Sequence, residues 1–197
     1  MKAEIKKYQT SDYLQWDSAM SLIRKLYLDK QYRWSVYVGA SCFLGLRVSD
    51  IKTLTWRMLL ADDTITIYEM KTNKRRVLKL NADFQRHVRL CHDKLAIKND
   101  DEKFFLSRKK VVYSTQRINM VMKTWKKKYN LKIDHLSTHT WRKTFGRQVF
   151  ENSGNDASIA LMRLADLYGH SSPNITKIYL GIKQKELLET YSLLEFS

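Results

Sequence analysis

One proline and six glycines are the only strong chain breakers in 197 residues, and that scarcity narrows the fold more than any other feature. A β-sandwich or barrel needs a turn signal roughly every 8–12 residues, and a flexible linker needs a run of small or kinking residues. The chain supplies neither, so it is predicted to be mostly helical. Apolar residues recur at helical spacing over 11–28 (Leu14, Ala19, Leu22, Ile23, Leu26) and again over 34–44. Gly45 stands where the second helix would stop, and a short helix is expected over 49–54. The apolar period then shortens to 2. Residues 64–68 (TITIY) and 76–80 (RVLKL) alternate like strands on either side of a polar stretch, 71–75, which predicts a β-hairpin with a basic tip. Helical spacing returns over 82–97, 114–130, 138–152, 156–168 and 172–180. Ser172 and Pro173 suit the cap and first turn of the last of these. A final amphipathic stretch, 183–194, puts Leu187, Leu188, Tyr191 and Leu194 on one face. The expected fold class is α+β: a single, mostly helical domain over 1–197 with one small antiparallel hairpin.

Composition then bounds the function. A hydrophobic fraction of 44% is enough for a packed core. No apolar run approaches the ~20 residues that span a bilayer, and the charged N-terminus leads into no signal-peptide core. Cys42 and Cys91 are too few for a disulfide framework and lack metal-ligand spacing. They are expected to be reduced thiols of a cytoplasmic protein. Lys and Arg number 36 against 20 Asp and Glu, a formal charge of +16. A domain this basic answers to a polyanion, and nucleic acid is the commonest one. Lys123, Lys126, Lys127, Lys128 and Lys132 form a basic stretch expected to lie along a DNA backbone. The adjacent acids Asp62-Asp63 and Asp100-Asp101 are expected to be turn residues, so no metal or other cofactor is implied.

Four segments stand out: GLRVSDIKTL (45–54), EMKTNKRR (69–76), HTWR (139–142) and YGHSSPNITKIYLG (168–181). In this order they resemble the tyrosine recombinase (phage-type integrase) family, over about residues 13–189. The family pattern is an arginine soon after a glycine, a lysine at a hairpin, a His-x-x-Arg helix, a Gly-His turn and a later tyrosine. Here these positions are Arg47, Lys71, His139 with Arg142, His170, and Tyr179 nine residues after His170. The resemblance implies the catalytic domain of a site-specific DNA recombinase, joined to DNA through a 3′-phosphotyrosine bond without metal or ATP. It makes Lys71 the general acid for the departing 5′ oxygen, with Lys74 the alternative at the same hairpin. It also makes Asp50 the acid that holds Arg47 in place.

The residue types suit that chemistry in their own right. Tyr179 can supply a nucleophile once nearby cations favour the ionised phenol. A guanidinium holds two phosphate oxygens and stays charged, so Arg47 and Arg142 can stabilise charge that grows on a phosphorane. Arg47 directly follows an apolar run, where a charge is costly without a partner. His139 and Arg142 lie at i and i+3, on one helix face. His139 can accept the Tyr179 proton or bind a phosphate oxygen, and the sequence leaves both roles open. His170, just after Gly169, is placed to orient the phosphate.

The resemblance further implies double-stranded DNA as partner and self-association as a synaptic tetramer. The 183–194 helix is expected to pack on a neighbouring protomer or on its own domain. The family's separate helical DNA-binding domain is expected to be absent, since only about 12 residues precede the first helix. Two alternatives stay open: a type IB topoisomerase, and a DNA-binding protein that has kept the fold without the chemistry.

Overall fold

The central helix of the first unit is apolar almost all round, and this decides what surrounds it. The computed structural model describes residues 11–182, which fall into two compact units divided in sequence between Thr144 and Phe145. In the first, α2 (Tyr32–Leu44) buries Val36, Tyr37, Val38, Ala40, Cys42 and Leu44. A helix with no polar face must be covered on every side. Two amphipathic helices, α1 (Trp16–Leu28) and α5 (Ala82–Leu95), pack on it. Aromatic rings close a further side: Tyr37 stacks on Phe105 at 4.4 Å, and Trp34 meets Phe105 and Trp125 edge-on at 4.8 and 5.2 Å. Truncating a core leucine such as Leu26, which is fully buried, costs about 2–5 kcal/mol.

Two very short helices follow α2. The first, α3 (Val48–Ile51), is a single turn that starts one residue before the predicted 49–54 segment and ends three residues short of its end. The second, α4 (Trp56–Leu59), is a turn that periodicity cannot detect; Thr55 caps it by accepting a hydrogen bond from Met58 N. Strands β1 (Thr64–Tyr68) and β2 (Arg75–Lys79) pair antiparallel, from Thr64 opposite Lys79 to Tyr68 opposite Arg75. Ile65, Ile67 and Leu78 face the core, as the alternation requires. β2 begins one residue before the predicted start, at the end nearest the tip. There Glu69 N donates to Lys74 O and carries the pairing further toward the turn. The unit is completed by α6 (Thr115–Lys128), capped by Ser114, and by the first half of α7 (Thr138–Glu151).

The second unit holds the rest of α7, then α8 (Ala157–Tyr168), preceded by one 3₁₀ turn, and α9 (Pro173–Leu180). Leu161, Leu164, Tyr168, Leu180 and Ile182 form its core. Gly169 ends α8 in the left-handed region, at φ 66°, where a side chain would be strained. His170 N then donates to Ala165 O, and Ser172 caps α9 through Ile175 N. The expected 183–194 helix lies outside the described residues. Among the described residues no helix is long and apolar enough to cross a membrane.

Candidate active site

Arg47 and Arg142 are 95 residues apart in sequence, and in the first unit both are anchored at the junction of α2 and α3. Gly45 ends α2 in the left-handed region, which turns the chain sharply and leaves its carbonyl available. Arg142, on α7 and only 5% exposed, donates from Nη1 to that Gly45 oxygen at 2.6 Å. Arg47, two residues on, stands at the N-cap position of α3 in extended backbone. His139 precedes Arg142 by one helical turn and keeps an exposed face. Partial burial, followed by the charges of Arg142, Lys143 and Arg47, holds its imidazole below the usual histidine value. The neutral ring is therefore favoured at neutral pH.

The carboxylate within ion-pair distance of Arg47, among the described residues, belongs to Glu69. This corrects the expectation for Asp50. Glu69, 3% exposed, lies 3.5 Å from Arg47 and 2.7 Å from Arg76, and accepts a 2.6 Å hydrogen bond from the Thr72 hydroxyl. Burial opposes its ionisation, but Thr72 and the Arg76, Arg47 and Arg142 guanidiniums outweigh it and hold the carboxyl below the usual range. Asp50 is fully buried as well, yet it accepts from the Met70 backbone N–H at 2.9 Å. The sequence singled out the segment carrying Glu69 but gave that residue no part. The available signal was an acid followed by four cations, at the last inward position of an alternating strand.

Lys71 lies exposed in the hairpin turn, directly after Met70, and Lys74 is exposed on the other side of the turn. The Asp50 contact ties the Lys71 side of the turn to α3, where Arg47 stands.

His170 and Tyr179 belong to the second unit. His170 Nδ1 is 2.9 Å from the Thr176 hydroxyl, and its ring lies edge-on to those of Tyr168 and Tyr179, each at 5.4 Å. Tyr179 is half-buried near the end of α9, 5.5 Å from the Tyr168 ring.

Other expectations resolve by contact. Asp100 pairs with His92 at 2.8 Å and Asp101 with Arg57 at 2.5 Å, so these acids do not converge. Lys128 is taken by Asp29 at 2.6 Å and Lys126 by the Asp134 carbonyl at 3.2 Å, while Lys123 and Lys127 remain exposed. The basic stretch is thus less uniformly available to a partner than its charge implies.

Solved structures bear out the fold. A XerA recombinase superposes with a TM-score of 0.71 at 23% identity, covering 95% of this chain and 67% of that one. A XerH recombinase bound to palindromic difH substrate in a post-cleavage complex gives 0.67 at 17%, covering 93% and 53%. The lambda integrase catalytic core gives 0.59 at 15%, covering 81% and 91%. The chain thus spans between about half and two thirds of the two Xer proteins. No curated protein matches the sequence. The phage integrase family profile matches residues 29–186, and the chain belongs to that family. Neither the family nor these structures support the topoisomerase alternative.

Proposed function

We propose that this chain cuts and rejoins double-stranded DNA by transient covalent attachment of Tyr179 to a backbone phosphate. The observation that carries the reading is the gathering of Arg47 and Arg142 at the α2–α3 junction, in a chain whose residues 29–186 match the phage integrase family. Two guanidiniums held there suit the charge of a phosphodiester and, still more, of a phosphorane. In this reading Arg47 and Arg142 neutralise the phosphoryl oxygens. Neutral His139 accepts a proton or binds an oxygen, His170 orients the phosphate, and Lys71 protonates the departing 5′ oxygen. The phosphotyrosine bond conserves the energy of the broken linkage, so rejoining needs no ATP. Self-association on DNA, as a synaptic tetramer in a longer protein, belongs to the same proposal.

The test is incubation with nicked suicide DNA, in which the released strand diffuses away and traps the intermediate. Wild-type protein is expected to form a denaturation-resistant adduct in EDTA. Tyr179→Phe, which loses one oxygen and little packing, is expected to bind DNA and form none. An adduct with the phenylalanine variant, or its abolition by chelator, removes the tyrosine mechanism.

A further inference from the structure

We propose that Glu69 is a positioning residue of this cleavage reaction, shaping the hairpin turn that presents Lys71 and tying that turn to Arg47. The inference rests on the functional reading above, and its ground is how the tip is held together. Of residues 68–75, Glu69 alone is buried; Tyr68 and residues 70–75 are exposed, so apolar packing cannot fix the turn. Polar contacts must do so, and most of them run through Glu69. Its backbone N–H donates to Lys74 O at 3.0 Å, and its carbonyl accepts from Asn73 N at 2.8 Å. Its two carboxylate oxygens take Thr72, inside the turn, and Arg76, beyond it. Lys71 sits within the turn these contacts close.

The same carboxylate reaches outward. Glu69 lies 3.5 Å from Arg47, while Asp50, three residues after Arg47, holds the backbone N–H of Met70 at 2.9 Å. An acid of the hairpin thus grips the arginine of α3, and an acid of α3 grips the hairpin. The two residues immediately before Lys71 are both fastened to the segment that bears Arg47. The Thr72 contact, at 2.6 Å, is a hydrogen bond, whereas 2.7 Å to Arg76 and 3.5 Å to Arg47 are charge attraction without a well-formed hydrogen bond. Glu69 therefore acts chiefly on the turn, and so on Lys71. A purely stabilising role, neutralising buried arginines, would make no distinction between the general acid and the phosphate-binding charges.

That distinction gives the experiment. Single-turnover cleavage by the full chain, at saturating protein, is measured for wild type, Glu69→Ala, Glu69→Gln and Lys71→Ala. Each is given ordinary suicide DNA and DNA with a 5′-bridging phosphorothiolate, whose sulfur leaves without needing a proton. Glu69→Ala is expected to slow ordinary cleavage by on the order of 10²-fold, the cost of displacing a catalytic group by about 1 Å. DNA affinity is expected to change little. On the sulfur substrate it is expected to regain most of the loss, as Lys71→Ala does. Glu69→Gln keeps the length of the side chain and an acceptor for Thr72, and is expected to fall between; if the alanine variant does not fold, the same comparison is read on it. Unchanged cleavage, or equal slowing on both substrates, overturns the positioning role while leaving the tyrosine mechanism standing. Absence of a wild-type adduct on either substrate removes both.

Discussion

The two units hold their key residues by opposite means. In the first, Arg142 reaches an oxygen 97 residues away in sequence, and Arg47 pairs with an acid on the hairpin. In the second, the helix bearing Tyr179 is set by its own neighbourhood: a left-handed glycine, a serine cap, and a His170–Thr176 contact spanning 6 residues. Fixed charges need a rigid, partly dehydrated setting, because water would screen them and loose side chains would have to reorganise during reaction. Only packing between distant segments provides that. A nucleophile needs chiefly an orientation, which a capped helix can supply by itself. Substitutions in the first unit are therefore expected to damage chemistry and stability together, and those in the second to act locally.

The largest effect tests the long-range side. Arg142→Ala is expected to lower single-turnover cleavage by on the order of 10²–10³, the usual cost of one preorganised charge-stabilising donor. Loss of the Gly45 contact is expected to cost about 1–3 kcal/mol in denaturant unfolding as well. Lysine at this position, a point charge without the planar fork, is not expected to restore cleavage. Wild-type cleavage by the alanine variant would break the comparison.

A smaller effect tests the local side. Ser172→Ala removes the α9 cap and is expected to cost about 1 kcal/mol. Hydrogen exchange is the measurement that checks it. Amide protection in α9 is expected to fall by roughly fivefold, while the α2 core stays unchanged. Loss of protection in both places would mean that the second unit is not set by its own contacts.

The smallest effect concerns pH. The depressed His139 pKa keeps the ring neutral at pH 7, and protonation sets in only below the ordinary value of ~6.5. Unfolding restores that ordinary value, so the related stability is present above it and is lost as pH falls through the folded value. If His139 takes a proton in the reaction, cleavage follows the same direction. Its acid limb is expected below pH ~6.5 and is expected to be missing in His139→Gln. An acid limb retained in that variant would assign it to another group.

What the sequence by itself determined was everything set over short spans. The alternation at 64–68 and 76–80 predicted the hairpin, and Gly45, Gly169, Ser172 and Pro173 marked helix ends within a residue, because caps and left-handed turns are made by neighbours. His139, Arg142, His170 and Tyr179 stand out because their short segments resemble the family pattern. Only the tertiary structure decided which partners they have. It gave Arg47 to Glu69 rather than Asp50, Arg142 to the Gly45 carbonyl, and Lys128 to Asp29. Helix α4, a single turn around the fully buried Trp56, likewise had too few residues to show a period. In each of the three pairings the deciding contact joins segments far apart in the chain. Its energy comes from burial and charge pairing in a packed interior, and residue spacing carries no record of which distant segments meet there.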